Sequence, residues 1–284
     1  MVRLGLHVSV AGGVDRAVSR AREKGCDVFQ IFSSNPRKWR TNPISSESAK
    51  RFIALQREFG LSLAVGHMPY LPNLACANDE VHTKSVQSLA KELERCQVLG
   101  IPYLVTHMGS HMGKGRESGL ARIAGALETV FSECEGDTIL LLENSAGTKN
   151  SLGSTFSDIA ALLESLPTYR HRLGVCLDTC HLHAAGYDLR TSSALQATLD
   201  QFDDCIGLEW LKLIHLNDCR GGIGSHLDRH EHIGLGLIGE EGFRAILCHP
   251  VLADLAMILE TPVDARRDDG GNLEVVRRLV SGIK

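Results

Sequence analysis

The chain has 284 residues, with 30 lysine and arginine side chains against 34 aspartates and glutamates. This length suits one barrel domain and allows a large buried core. The net charge of −4 argues against broad electrostatic attraction to nucleic acid, although it does not exclude a nucleic-acid substrate if bound metal ions neutralise clustered carboxylates.

In chain order, eight apolar segments alternate with amphipathic ones. The first strand is predicted at 4–10 (LGLHVSV) and the second at 26–33 (CDVFQIFS), separated by the helical pattern VDRAVSRAREKG. The six further predicted strands are 61–67, 103–109, 138–145, 173–179, 211–218 and 255–261. The segments between them repeat apolar residues at helical spacing, and several end in Gly. Eight strands alternating with helices predict an α/β fold, a (β/α)8 TIM barrel, with a single domain over residues 1–284.

In six of the predicted strands, a short apolar run closes on a side chain that can bind a metal ion. The runs LSLAVGH, YLVTH, TILLLE, LGVCLD, LKLIH and LAMILE each close on His, Glu or Asp. The carboxyl ends of barrel strands meet on one face, so these side chains should converge there. A further histidine lies three residues past Asp178, where the sixth strand is expected to give way to a loop, and a D-x-H pair lies in the Gly-rich loop after the seventh strand. The nine candidate ligands are His67, His107, Glu143, Asp178, His181, His215, Asp228, His230 and Glu260.

The chemistry of this set predicts a cluster of divalent metal ions. A single histidine at a strand end is more often a hydrogen-bonded structural residue than a ligand, and His7 is an ambiguous neighbour of the site. A carboxylate that ends an apolar strand is costly to bury unless it is paired or metal-bound, which favours ligand roles for Glu143, Asp178 and Glu260. Zinc suits this mixture of imidazole and carboxylate. Strand alternation places Cys176 below Asp178 on the same face, so we interpret this cysteine as core packing.

The location of the protein is predicted from its N-terminus and its cysteines. The opening MVRLGLHVSVAGG has only a short apolar run and no cleavage-like region, and no apolar run in the chain is long enough to cross a membrane. The nine cysteines are odd in number, and several fall within predicted strands and helices, which favours reduced thiols over a disulfide framework. We therefore expect a cytoplasmic protein with no membrane contact.

Several segments resemble those of the endonuclease IV family of apurinic/apyrimidinic endonucleases. The most distinctive are HMPYLPNLA (67–75), GVCLDTCH (174–181) and NDCRGGIGSHLDRHEHIGLG (217–236), which follow one another along the chain in the same order as in that family. The segments LHVSVAGG, NPRKWR, LENSAG and AAGYDLRT are also similar, so the resemblance runs nearly end to end. The chain departs from the family pattern at Pro72, Met108 and Cys219. Of these, Pro72 falls in a segment expected to face DNA.

The resemblance implies a zinc-dependent barrel that cuts the DNA backbone on the 5′ side of an abasic site in base excision repair. Three zinc ions per chain would be held, the first by His67 and His107 and the third by His181, Asp228 and His230. Glu143 would bridge the first zinc to the second and is assigned the catalytic role, while Asp178, His215 and Glu260 complete the second site. A hydroxide bridging two zinc ions is the expected nucleophile. The expected products are a 3′-hydroxyl and a 5′-deoxyribose phosphate.

The expected partner is double-stranded DNA that contains abasic sites, and no obligate protein partner is evident. In NPRKWR, basic residues surround Trp39, and Arg37 would suit a minor-groove contact. Tyr70 and Leu71 resemble the family's wedge, which fills the base stack when the abasic nucleotide is flipped out. From the residues alone, an ordinary solvated loop is the favoured interpretation of Arg37. For Tyr70 and Leu71, core packing beneath the loop after the third strand is about as well supported as a DNA contact.

Two other classes of protein are compatible with parts of this pattern. A sugar isomerase or epimerase on a similar barrel also holds metal with Glu, Asp and His at strand ends. Such enzymes usually need fewer ligands and a base for carbon-acid chemistry, and no Lys closes a predicted strand here. A catalytically silent DNA-binding module is the third class, and the fully populated ligand positions argue against it.

Overall fold

The computed structural model describes residues 2–282, and its centre is a closed barrel of eight parallel strands. In chain order, the described residues form ten strands, of which eight belong to the barrel. They are β1 (Arg3–His7), β2 (Val28–Ile31), β3 (Leu63–His67), β4 (Tyr103–His107), β5 (Ile139–Glu143), β6 (Leu173–Asp178), β7 (Leu211–His215), β8 (Asp218–Cys219), β9 (His230–Glu231) and β10 (Ala256–Leu259). β8 and β9 form a separate antiparallel pair, and the other eight form the barrel, which β10 closes on β1. The predicted TIM barrel is confirmed.

Helices connect the barrel strands. They are α1 (Val14–Glu23), α2 (Ser46–Glu58), α3 (Asp79–Leu99), α4 (Arg116–Glu133), α5 (Phe156–Ser165), α6 (Thr179–Ala185), α7 (Ser192–Cys205), α8 (Gly239–Cys248), α9 (Pro250–Ala253) and α10 (Asp269–Ser281). Side-chain caps fix several starts: Ser45 accepts from the Ser48 N–H, and Asn78 from the Val81 N–H. Over residues 2–282, no helix has the length and apolarity needed to span a membrane.

The core has two layers, as strand alternation predicts. Inside the barrel, Val28, Leu141, Cys176, Leu213 and Ile258 pack together and are fully buried. A larger apolar layer lies between the barrel and the helices. Each of these interior residues lies two positions before a polar residue, so its side chain is on the same face of the strand. The apolar layer therefore lies directly beneath those polar side chains.

The register of the ladder brings the polar strand ends together in pairs. His107 lies beside Glu143 across β4 and β5, and Asp178 lies beside His215 across β6 and β7. The predicted strands 4–10 and 103–109 run past the observed ends of β1 and β4 at His7 and His107. The following residues Val8 and Met108 are still buried in the core, so the apolar pattern continues after the ladder ends.

One glycine allows the close approach of β1 to β2. A Cβ on Gly5 would lie 1.8 Å from the carbonyl oxygen of Val28, so no larger residue fits at this position. In the resulting register His7 lies beside Gln30, at the same end of the barrel as the candidate ligands.

Candidate metal centre

The carboxyl ends of the barrel strands surround a cavity of about 590 Å³. Six of the nine candidate ligands line this cavity: His67, His107, His181, Asp228, His230 and Glu260. The other three, Glu143, Asp178 and His215, are almost completely buried. The structure therefore brings strand ends that are far apart in the sequence to one face of the barrel.

A first group of candidate ligands contains His67, His107 and Glu143. One ligand atom from each lies within 4.8 Å of the others. The Nε2 atom of His67 is 3.2 Å from Oε2 of Glu143, and Nδ1 of His107 is 3.5 Å from the same oxygen. Two imidazoles thus face one carboxylate oxygen.

A second group faces the other oxygen of the same carboxylate. It contains Glu143, Asp178, His215 and Glu260, again with ligand atoms within 4.8 Å of one another. Nδ1 of His215 lies 3.1 Å from Oε1 of Glu143 and 3.4 Å from Oε2 of Glu260. Glu143 therefore stands between two groups and presents one oxygen to each.

A third group contains Asp178, His181 and His230. Nε2 of His230 is 3.5 Å from Oδ2 of Asp178. Asp228 is about half exposed and falls outside the tight group, but its Oδ1 lies 3.3 Å from Nε2 of His181 and 3.9 Å from Nε2 of His230. Asp178 belongs to both the second and the third group, which sequence analysis did not predict.

The local structure around His181 differs from the sequence-based interpretation. We expected the strand to give way to a loop after Asp178, whereas the chain enters helix α6 directly. Asp178 caps this helix by accepting a hydrogen bond from the His181 N–H at 2.9 Å. The cap uses Oδ1 and leaves Oδ2 on the side of His230. His230 lies in the short strand β9 and not in irregular loop.

Backbone carbonyls orient three of the imidazoles. Nδ1 of His67 lies 2.8 Å from the Met68 carbonyl, and Nδ1 of His181 lies 3.0 Å from the Asn144 carbonyl. Nδ1 of His230 is likewise 3.0 Å from a carbonyl, that of Glu260. Because a carbonyl oxygen can only accept a hydrogen bond, Nδ1 carries the proton in the neutral ring. Nε2 then has a free lone pair that can bind a metal ion. Metal-binding histidines in proteins are commonly held in this way.

The charges of the site favour ionised carboxylates in spite of burial. Burial raises the pKa of Glu143, but the charges of His107 and His215 outweigh this effect and hold the pKa well below its usual value. Burial lowers the pKa of His181, but the negative charges of Asp178 and its neighbours outweigh it and raise the pKa to about 10. The buried Glu143 carboxylate therefore remains negative and requires positive charge nearby.

These residues fit a divalent metal by their chemistry. They offer imidazole nitrogens and carboxylate oxygens, the donor types used by zinc and similar ions. Nε2 of His230 is buried and has no hydrogen-bond partner among residues 2–282. A buried polar atom without a partner is costly, and a bound cation would remove that cost.

Sequence reasoning missed the amides that hold the carboxylates. The side-chain nitrogen of Asn217 donates to Oδ2 of Asp178 at 2.7 Å, while its oxygen accepts from the Glu260 N–H at 2.8 Å. Gln30 contacts both His215 and Glu260 from the interior face of β2. The available signal was a polar residue at an inward position of an apolar strand, as in CDVFQIFS. His7 is also part of the site, since its Nδ1 lies 3.2 Å from Oε1 of Glu260.

The residues predicted to contact DNA lie on the rim beside the candidate ligands. Arg37 and Tyr70 both line a cavity of about 900 Å³ that shares His7 and Phe32 with the first cavity. The backbone N–H of Tyr70 donates to the Pro36 carbonyl at 3.1 Å, so the two loops are joined. The Tyr70 side chain is 63% exposed and Leu71 is 36% exposed, so neither is buried in the core.

The chain is similar to known proteins over nearly its whole length. The family model described as a xylose isomerase-like TIM barrel matches residues 18–279. The protein named "Probable endonuclease 4" from Methanoculleus marisnigri is 52% identical over 280 residues, covering 98% of this chain and 99% of that protein. The protein of the same name from Methanosphaerula palustris is 53% identical over 282 residues, covering 98% of each chain.

Solved structures show the same similarity. Endonuclease IV from Thermus thermophilus superposes with a TM-score of 0.87 at 39% identity, covering 99% of both chains. The 3-keto-D-glucoside 4-epimerase YcjR from E. coli also superposes, with a TM-score of 0.69, but its 14% identity shows a common fold alone. Since full-length relatives share about half of its residues, the chain belongs to the endonuclease IV family.

Proposed function

We propose that this chain is a DNA-repair endonuclease that hydrolyses the phosphodiester bond 5′ to an abasic site in double-stranded DNA. The products would be a 3′-hydroxyl and a 5′-deoxyribose phosphate, and residues 1–284 would form a single catalytic domain. Membership of the endonuclease IV family supports the repair endonuclease function and disfavours the sugar isomerase alternative. The nine free cysteines are compatible with the reducing cytoplasm in which we expect the enzyme to act.

The observation that carries this proposal is the position of Glu143 between two ligand groups. Its Oε2 faces His67 and His107, while its Oε1 faces His215. A buried carboxylate with a different set of donors at each oxygen suits a bridge between two cations. Together with the third group, Asp178, His181 and His230, this bridge leads us to infer three zinc ions per chain.

Each ion would have its own set of side chains, with Glu143 common to two of them. His67 and His107 would hold the first ion with Glu143, and Asp178, His215 and Glu260 the second. His181, Asp228 and His230 would hold the third. The proximity of Asp178 to His230 supports its contribution to the third set as well.

The protein side chains would hold the metal ions in place and offset their positive charge, and the metal ions would supply the reactivity. When bound, zinc ions would supply a water molecule with a pKa near neutrality and positive charge to stabilise the phosphate and the leaving oxygen. The carboxyl groups of Glu143, Asp178 and Glu260 would keep the ions fixed. In the neutral rings that bind metal, the carbonyl contacts of His67, His181 and His230 would hold the proton on Nδ1 and direct the free Nε2 inward.

The rim loops would select the lesion. Arg37 and Tyr70 lie on joined loops beside the cavity, and Tyr70 is exposed, as a residue that enters a base stack must be. We infer that Tyr70 and Leu71 fill the gap left by an extruded abasic nucleotide. Arg37 would contact the backbone or minor groove nearby.

The test is cleavage of a duplex that carries one tetrahydrofuran abasic analogue. This analogue lacks the C1′ aldehyde, so a strand break cannot arise by β-elimination. We expect one cut at the 5′ side of the lesion, a free 3′-hydroxyl that a polymerase can extend, and no cut in the matched intact duplex. No cleavage, or a cut at the 3′ side, would refute the proposal.

A further inference from the structure

We propose that Gln30 is a positioning residue that fixes the ligand atoms of His215 and Glu260. This inference rests on the metal centre proposed above. Gln30 lies in the middle of β2, is completely buried, and binds no metal in that proposal. Its amide contacts two candidate ligands from β7 and from the end of β10.

The amide oxygen of Gln30 fixes the proton on His215. Nε2 of His215 lies 2.9 Å from Oε1 of Gln30. An amide oxygen can only accept, so this nitrogen must carry the proton. In the neutral ring Nδ1 is then bare, and it is the nitrogen that faces Glu143 at 3.1 Å and Glu260 at 3.4 Å. His215 thus presents Nδ1 to the site, whereas His67, His181 and His230 present Nε2.

The amide nitrogen of Gln30 selects one oxygen of Glu260. It donates to Oε1 of Glu260 at 2.7 Å, and its second hydrogen can reach Nδ1 of His7 at 3.0 Å. Oε2 of Glu260 receives no hydrogen bond from Gln30 and faces Nδ1 of His215. The single amide of Gln30 therefore leaves Nδ1 of His215 unprotonated and Oε2 of Glu260 free, and these two atoms face each other across the second group of candidate ligands.

A packing role does not explain an amide at this position. Gln30 follows Val28 on the interior face of β2, and its partner in the ladder with β3 is Val65. An apolar side chain would fill this layer without the cost of burying an amide. The amide makes hydrogen bonds through both its oxygen and its nitrogen, and all of them go to residues of the site.

Metal affinity of Gln30 variants tests this inference. Gln30→Met keeps the length of the side chain, and Gln30→Leu is a second apolar variant in case the first is poorly folded. Thr138→Val is the matched control, because it removes one buried hydrogen bond, to the Ile101 carbonyl, at the opposite end of the barrel. Zinc would be titrated into the metal-free full-length proteins against a chromophoric chelator, and their unfolding temperatures compared. We expect about 10- to 100-fold weaker zinc binding in the Gln30 variants and none of this loss in the control.

Cobalt substitution provides a readout that general destabilisation would not move. The visible d–d bands of bound Co(II) report the ligands and geometry of the ion, so we expect them to change in both Gln30 variants and not in Thr138→Val. Wild-type affinity and an unchanged cobalt spectrum in a folded Gln30 variant would overturn the positioning role. If the wild-type protein itself binds no metal, the metal centre fails first and this inference fails with it.

Discussion

At the residue scale, the proposed metal centre and the proposed catalysis both depend on Glu143. Changing Glu143→Gln keeps its shape but removes the negative charge between two groups of donors. We expect turnover on abasic duplex to fall more than about 100-fold, beyond the loss typical of residues that only support a ligand. Affinity for DNA should fall far less, because the rim loops are unchanged.

The measurement for Glu143→Gln is single-turnover cleavage together with a binding titration on the same duplex. Glu128→Gln, an exposed carboxylate on α4, is the matched control for loss of one charge. Near wild-type turnover in Glu143→Gln would show that the carboxylate is structural only.

Protonation of His181 makes metal binding dependent on pH. Its pKa is raised to about 10 in the metal-free protein, because the charges of Asp178, Asp228 and Glu143 outweigh the effect of burial, and the pKa of His215 is raised as well. With a pKa of about 10, the His181 ring is protonated at pH 7, whereas a metal ligand must be neutral. Zinc binding should therefore release protons, and affinity should increase from pH 6.5 to 8.5.

Calorimetry in two buffers with different ionisation enthalpies would count the released protons. For His181 alone, the gain in affinity should end near its pKa of about 10, above which no proton remains to be displaced. An affinity that is independent of pH between 6.5 and 8.5 would contradict this assignment.

Sequence reasoning found the candidate ligands that the structure brings together, but not the residues that hold them in place. His, Asp and Glu at the ends of apolar strands are informative because such positions are costly for a polar side chain. The polar side chain at an inward position of β2 was the one signal for Gln30, and the roles of Gln30 and Asn217 become clear only from their hydrogen-bond partners in space. The double role of Asp178, as helix cap and as member of two groups, also depends on three-dimensional contacts.

At the scale of elements, strand periodicity predicted all eight barrel strands within a few residues. It could not predict the antiparallel pair of β8 and β9, because two-residue strands contain no periodic pattern. It also missed that α6 begins directly after β6, since the capping geometry of Asp178 cannot be read from TCHLHAA alone. These short elements place His181 and His230, so the errors fall at the site itself.

The loops that carry Arg37 and Tyr70 should recognise the lesion without affecting the metal. Arg37→Ala and Tyr70→Ala should leave metal content unchanged and weaken binding to abasic duplex more than to intact duplex. Loss of a stacking contact by Tyr70 is worth about 1–3 kcal/mol, which corresponds to roughly tenfold to a hundredfold in affinity. Arg37→Ala should also reduce the dependence on salt if the guanidinium contacts phosphate.

Gel-shift titrations with both duplexes at two salt concentrations test these loops. Arg57→Ala removes the same charge from the far end of α2 and should have no such effect. Equal losses on abasic and intact duplex would mean that the loops supply general affinity and that the lesion is recognised within the metal pocket. Pro72→Ile extends the series, since the fixed φ of Pro72 is expected to pre-order the loop that carries Tyr70.

At the scale of the whole molecule, the candidate ligands tie together six of the eight barrel strands and the loop after β7. Metal binding should therefore stabilise the entire barrel, by about 2.7 kcal/mol when free zinc is a hundredfold above its dissociation constant.

We expect the purified protein to contain more than one metal ion per chain by elemental analysis, and chelation to lower both its unfolding temperature and its activity. Removal should be slow, because Glu143, Asp178 and His215 are buried beneath the cavity. Zinc, but not magnesium, should restore both properties, since magnesium prefers oxygen ligands and the site is rich in imidazole. A metal-free protein with full activity would refute the metal centre and the catalytic roles assigned to its residues.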